Sequence, residues 1–512
     1  MYSWRFLLTT VAVAGLASCT NGQRSSQSFI NQPGYAQTPS QASAYDVNLF
    51  TPLEDFNLLS ASDFTRLTHP AFPSYGVRVK KSNFCDGNVN SYTGYIDIEA
   101  RHLFFYFFES RRDPKIDDTI FWTTGGPGGS SALGLFTELG PCRVTGKNET
   151  KYHPESWNEI ANVFFVDQPI GTGFSYADHG EKVSTTEEAA QDIAAFIAIF
   201  FEHFTNFKGR ALHMAGESYG GRYIPLFASA AYDQNAYLKD AGLTPINLKS
   251  IMIGNGLTDF YTMATSYYDM ACTPAGATIL DISTCVRMKQ VVPRCESFLK
   301  HACVDQFDII NCAAAHDFCA SEFQSPFIRT GRNIYDLTKM CDGVLEETLC
   351  YPVFQEVEAY LNQNSTLDAL GIDPASPPHG NYTVVSEPVN VAFGKSMDVA
   401  HPTHFYVEHL LNRGIKVLIY VGATDWVCNW VGNLRWVSEL EWGSPSHRER
   451  LGELREWGGF LGDDKEWTKI GITASGGQLT FATVDGAGHM VPFDKPRESL
   501  ELLRRWLSGE VL

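Results

Sequence analysis

Basic residues are scarce: 39 Lys and Arg stand against 58 Asp and Glu, a formal net charge of −19. Phosphate backbones are bound through clustered Lys and Arg, and nothing here forms a basic stripe, so no nucleic-acid partner is expected. Long apolar runs are missing beyond Ala17. No later segment approaches the roughly 20 apolar residues a membrane-spanning helix needs, so stable membrane insertion is not expected. Lysine is also missing after the glycine-rich stretches, which removes the usual phosphate-cradling loops. What is abundant points elsewhere: with 44% hydrophobic and 13% aromatic residues over 512 positions, the chain can bury a large core.

The first residues carry Arg5, an apolar run from Phe6 to Ala17 and small residues suited to cleavage, which reads as a secretory signal peptide over 1–19. Leu16-Ala17-Ser18-Cys19 also resembles a lipoprotein cleavage box. Twelve cysteines behind such a leader imply an oxidising compartment and disulfides. Without Cys19 the remainder is odd, so one thiol is expected free. Sequons at Asn148, Asn364 and Asn381 fit a glycosylated surface and a secreted or vacuolar protein.

From Thr20 to about Tyr75 the chain is rich in Gln, Ser, Asn and Pro, and a propeptide or disordered arm is expected over 20–81, with Lys80-Lys81 as a processing site at its end. Beyond Cys85, short apolar runs alternate with helical stretches, the signature of an α/β sheet. Strands are predicted at Leu103–Phe108, Ile120–Thr124, Val163–Val166, Ala211–Ala215, Ile251–Ile253, Val417–Val421 and Leu479–Val484. A long helix is predicted at Glu187–Phe207 and a terminal one at Glu498–Leu507. The alternation lapses over 260–394, where eight cysteines fall between Cys272 and Cys350. That stretch is expected to be an inserted, disulfide-stapled cap dividing the core into 82–259 and 395–512. Cysteine pairing cannot be read from spacing.

The chemistry centres on Gly216-Glu217-Ser218-Tyr219-Gly220, a G-x-S-x-G pattern after an apolar run. Such a pattern suits a sharp strand-to-helix turn with an exposed serine at its tip. A serine hydroxyl needs a base, and the base an orienting carboxylate, in the order Ser, Asp, His. Asp425 follows the run Val417–Val421, and His489 follows Leu479–Val484 in a glycine-flanked loop. Asp167 precedes Ser218 and breaks the order, so it is assigned a structural or pocket role. Acyl transfer also needs amides facing the developing oxyanion. The N–H of Tyr219 and that of Gly126, in Gly125-Gly126-Pro127-Gly128-Gly129, are the candidates. No metal or organic cofactor is expected.

These motifs resemble the carboxypeptidase Y-like serine carboxypeptidases of fungi. The likeness runs from Gly94 to Pro496 through Trp122–Ser131, Glu138–Pro141, Asp167–Tyr176, Gly216–Pro225, Gly254–Asp259, Asp425–Asn433 and Gly486–Pro492. It implies an α/β-hydrolase fold with a mixed central sheet and a disulfide-rich cap, the triad Ser218, Asp425 and His489, and release of C-terminal residues from peptides. Glu138 and Glu217 match glutamates that recognise the free carboxylate, and two carboxylates facing a third anion must hold protons, which favours acid pH. Trp122 matches a tryptophan lining that site. Thr124 stands where the family usually has Asn. Gly129 replaces a frequent cysteine, so a common disulfide must be absent or rearranged, with Cys142 as an alternative. Cys428 matches a free thiol near the substrate, and Tyr219 and Met490 would border the pocket for the residue before the scissile bond. An esterase or acyltransferase on the same triad, or a non-catalytic binding protein, remain as alternative readings.

Overall fold

The computed structural model describes residues 58–512 except 86–87, 375, 377–381, 445–446 and 462–465. The leader and Asn381 therefore lie outside the described residues. A thirteen-stranded mixed sheet organises the chain. Its centre is six parallel strands in the order Asn162–Val166, Thr119–Thr123, Ala211–Glu217, Asn247–Gly254, Lys416–Gly422 and Leu479–Val484. Antiparallel strands extend it on both sides. Thr65–His69, Phe72–Ser82, Ser91–Ile98 and Arg101–Phe108 lie on one side, and Trp467–Gly476 then Arg455–Phe460 on the other.

Both faces of the sheet are covered, which is why its central strands read as apolar runs rather than alternating ones. Phe105 packs on Phe196 and Phe107 on Phe200 of the helix Thr186–His203, and Phe227 of the helix Gly220–Asp240 belongs to the same core. Phe104, Tyr106 and Phe108 face the opposite core, which includes Leu502, Leu503 and Trp506 of the terminal helix Pro496–Ser508. Leu479–Val484 matches its prediction end for end, and the terminal helix overruns its own by two residues at the N-terminus and one at the C-terminus. The predicted helix to Phe207 stops at His203, where Phe204 leaves helical geometry before a short turn over Thr205–Phe207.

The expected disordered arm is corrected over its last part. Residues 65–69 and 72–82 are strands, and Lys80-Lys81 pairs with Thr93 and Tyr92 inside the sheet rather than offering an open processing site. The strand was hidden because its second face carries charges: Val77, Arg78, Val79 and Lys80 are all buried. Arg78 donates to Asp97 at 2.8 and 2.6 Å, and Lys80 Nζ to the Asp368 carbonyl at 3.1 Å. Held by these bonds, basic residues occupy positions where a hydrophobic alternation would be sought.

Between Gly254 and Lys416 the main sheet gains no strand among the described residues. The cap there is built from the helices Phe260–Cys272, Ile282–Leu299 and Ile309–Ile328, the hairpin Arg332–Met340 and shorter helices. It has its own core around Met263, Met270, Phe323, Phe327 and Trp426. Four disulfides staple it: Cys272–Cys285, Cys295–Cys319, Cys303–Cys312 and Cys341–Cys350. A fifth, Cys85–Cys142, joins the loop after the strand Phe72–Ser82 to the strand Cys142–Gly146, so Cys142 does supply a crosslink. Cys428 is the free thiol among the described residues, and it is buried.

Candidate active site

Register brings the functional loops to one edge. Thr123 pairs with Gly216, Glu217 with Gly254, and Gly422 with Val484, so the segments bearing Thr124, Ser218, Asp425 and His489 all leave the carboxyl ends of parallel strands, where sites of open α/β sheets form.

Ser218 has φ +60°, the left-handed conformation of a strained turn. Four backbone hydrogen bonds hold it there. Its N–H donates to the carbonyls of Gly254 and Asn255 at 3.1 Å, and its carbonyl accepts from Leu257 at 2.8 Å and Gly221 at 2.9 Å. Two glycines allow that closeness. A Cβ on Gly221 would meet the Leu257 nitrogen at 2.6 Å, and one on Gly125 the Tyr219 nitrogen at 2.3 Å. The glycine-rich loop therefore lies directly against the residue that follows the serine, with Gly126 exposed and Ser218 half-buried at the mouth.

His489 Nδ1 lies 2.8 Å from Asp425 Oδ2, and Asp425 is wholly buried. That contact leaves Nε2 as the ring nitrogen available to a substrate or hydroxyl. Asp425 Oδ2 also accepts from Asn255 Nδ2 at 2.8 Å, and its Oδ1 from the Val427 N–H at 3.1 Å. The His489 N–H donates to the Tyr335 carbonyl at 2.7 Å, while Leu337 and Val427 exchange bonds with Thr424 and Ile334. The cap hairpin thus fastens both the Asp425 and His489 loops. Neither Asn255 nor Tyr335 was assigned a role from sequence; Asn255 sits in the Gly254–Asp259 motif, which was the available signal.

Donor atoms of Asp425, Cys428 and His489 lie within 4.8 Å of one another. They are a poor cation cradle, because Asp425 and His489 are spent on each other. Burial, with Asp425 and Glu217 nearby, pushes the Cys428 thiol well above its ordinary pKa, and the Ser218 hydroxyl is within hydrogen-bonding reach of it.

Glu138 ends a buried π-turn, Gly134–Glu138, and faces Glu217 with both carboxyls excluded from water. Burial raises both pKa values, Glu138 to about 7. For Glu217 the negative charge of Glu138 adds to the rise, whereas Glu138 is drawn down by its hydrogen bond to Glu217 and by His489 and Arg143. Such a pair holds a proton across the acid range. Trp122 Nε1 and Thr124 Oγ1 are buried and have no hydrogen-bond partner among the described residues, and the buried Oε2 atoms of Glu138 and Glu217 have none beyond the bond the two carboxyls share. Buried polar groups are seldom left so, and a polar ligand would satisfy them. Met490 is buried beside His489, and Tyr219 is buried with its ring 5.2 Å from that of Tyr223. Asp167, also buried, accepts from the Ser130 hydroxyl at 2.6 Å and the Ser131 N–H at 3.0 Å, anchoring the glycine-rich loop from below.

The serine carboxypeptidase family profile matches residues 83–509. Carboxypeptidase Y homolog A of Talaromyces marneffei is 41% identical over 429 residues, 83% of this chain and 73% of that protein. Carboxypeptidase Y of Komagataella phaffii is 38% identical over 447 residues, 86% of this chain and 80% of that protein. The crystal structure of a prohormone-processing carboxypeptidase from Saccharomyces cerevisiae superposes with a TM-score of 0.65 at 24% identity, covering 90% of this chain and 96% of the other, and so shares the fold. The α/β-hydrolase core, the serine elbow at one sheet edge and this likeness along nearly the whole described chain lead to one assignment: the protein belongs to the serine carboxypeptidase family.

Proposed function

We propose that this carboxypeptidase releases C-terminal amino acids through an acyl-enzyme on Ser218, with His489 as base and acid and Asp425 as its orienting partner. The Ser218 hydroxyl attacks the scissile carbonyl carbon while His489 Nε2 takes its proton. The N–H groups of Tyr219 and Gly126 receive the negative charge on the carbonyl oxygen. His489 then protonates the departing amine, the C–N bond breaks, and water, deprotonated by the same ring, cleaves the ester. Glu138 and Glu217, sharing a proton, receive the substrate's free carboxylate together with Trp122 Nε1 and Thr124 Oγ1.

The observation that carries this reading is the buried Glu138–Glu217 pair beside the elbow, with Trp122 Nε1 and Thr124 Oγ1, two donors, buried and unpartnered at the end of the neighbouring strand. Ser218→Ala should abolish release of C-terminal amino acids from N-blocked dipeptides at acid pH, and unchanged release would overturn the reading. Thr124 favours a second reading, an esterase or acyltransferase, since its hydroxyl is shorter than an amide side chain and offers a single donor. Comparison of a peptide acid with its ester and amide separates the two, because only the carboxypeptidase prefers the free acid. Failure of an organophosphate to label Ser218 would instead support a non-catalytic binding protein. Five disulfides fit the secretory pathway. Secretion or vacuolar residence, and glycans on the exposed Asn148 and Asn364, extend the same reading.

A further inference from the structure

Asp398 lies far along the chain from the elbow and is wholly buried at the start of a short turn, Asp398–Ala400. Five donors on two helices converge on its carboxylate. Thr186, the first residue of the helix Thr186–His203, gives its N–H at 2.8 Å and its hydroxyl at 2.7 Å. The Tyr219 hydroxyl donates at 2.6 Å, and Arg222 donates through Nε at 2.8 Å and Nη2 at 3.4 Å. Arg222 is itself 1% exposed and also donates to the His401 carbonyl. Glu187, half-exposed, lies 3.8 Å from its guanidinium.

A buried ion pair with every lone pair occupied is costly to assemble and does more for geometric definition than for net stability. Here the geometry defined is that of the elbow. Arg222 belongs to the first turn of the helix Gly220–Asp240, and Tyr219 stands at its N-cap without a side-chain capping bond. Ser218 is held on one side by backbone bonds to residues 254–257. On the other side, the Asp398 carboxylate grips the two side chains that follow.

We infer that Asp398, with Arg222, is a positioning residue for acyl transfer: through the Tyr219 hydroxyl it fixes the Tyr219 peptide plane, and hence the N–H that receives the oxyanion. This rests on the proposed roles of Ser218 and Tyr219. An oxyanion donor is useful only when it meets the position the oxygen reaches in the transition state, so the clamp acts on kcat and leaves ground-state binding alone.

The test uses the full chain as Tyr219→Phe, Asp398→Asn and the double variant, with kcat and KM measured on an N-blocked dipeptide at acid pH. Rates are expressed per Ser218 titrated with an organophosphate, so that unfolded protein does not count. Each single change should lower kcat by about tenfold, with KM moved by less than about twofold. The double variant should be no slower than the slower single one, because both act on the same Tyr219–Asp398 contact. Unchanged kcat per titrated site with a lowered melting temperature, additive losses, or a change confined to KM would each overturn the inference. If Asp398→Asn does not fold, Tyr219→Phe alone decides. Loss of Ser218 labelling in the unmodified enzyme would overturn the underlying reading instead, so the two failures are distinct.

Discussion

Asn255 and His489 meet at one atom: Asp425 Oδ2 accepts Asn255 Nδ2 and His489 Nδ1, each at 2.8 Å. Asn255 is held for this task by φ +42°, by donating its N–H to the Tyr420 carbonyl, and by accepting the Gly422 N–H at its own Oδ1. The amide thus fixes the carboxylate that fixes the imidazole. Asn255→Ala is expected to lower kcat by roughly ten- to a hundredfold with little change in KM, since orientation of the base matters in the transition state. Steady-state kinetics on a blocked dipeptide check this, and an effect on KM alone would remove Asn255 from the relay.

The Glu138 and Glu217 pair sets a pH dependence whose sign follows from its raised pKa values. Below about 7 Glu138 keeps its proton and can donate to a substrate carboxylate; above it, the negative charge of Glu138 repels that carboxylate. For peptide acids, kcat/KM should therefore fall as pH rises through about 7, chiefly through KM. Ester substrates lacking a free carboxylate should not show this loss. Glu217→Gln keeps a neutral donor at any pH, so its alkaline limb should flatten. Parallel profiles for acid and ester substrates would refute the shared proton as the cause.

Stability should follow the same direction. Burial raises the Asp167 pKa to about 6, against its hydrogen bonds from Ser130, Phe174 and Ser131, and raises Glu138 and Glu217 as well. Because the folded state binds these protons more tightly than the unfolded chain, their contribution is complete below about pH 4 and is lost as pH rises through 6 and 7. Melting temperatures should accordingly fall between pH 4 and 7. Asp167→Asn should flatten the lower part of that fall while costing about 1–3 kcal/mol, because an amide cannot accept all three bonds. A calorimetric series across this range decides it; a melting temperature rising towards pH 7 would contradict the assignment.

Legibility in the sequence tracked burial on both faces. Leu479–Val484 and the strand before Ser218 are central and parallel, so their apolar runs mark them, and the candidate acid, base and nucleophile follow such runs directly. The strand Phe72–Ser82 escaped because buried Arg78 and Lys80 interrupt its apolar pattern, bonded to Asp97, 19 residues on, and to the Asp368 carbonyl, 288 residues on. Asp398 escaped for the same reason, its bond to Tyr219 spanning 179 residues. Disulfide pairing was equally illegible, since cap loops closing over nine to 24 residues have comparable closure entropy. Asn255 lay inside a recognised motif, yet its role depends on a left-handed backbone that residue identity alone does not announce.

Arg143 offers the sharpest check on the carboxylate pair. It leaves the strand just after Cys142, and its Nη2 donates to the Glu138 carbonyl at 3.0 Å and the Pro492 carbonyl at 2.8 Å, tying the Glu138 turn to the segment after His489. Its charge faces Glu138 and Glu155, adds to the lowering that burial imposes on the pKa of neighbouring His153, and lies 5.8 Å from the Phe493 ring. A cation there favours the ionised form of Glu138, so it restrains the rise that burial imposes. Arg143→Met removes both the bridge and the charge. The enzyme should lose about 1–3 kcal/mol of stability from the freed buried carbonyls, and its alkaline limb for peptide acids should move to higher pH. Arg143→Lys, which restores the charge without the two-carbonyl geometry, should return the limb towards its original position while recovering only part of the stability. Superimposable pH profiles for the native and Met enzymes would show that Glu138 does not govern the alkaline limb.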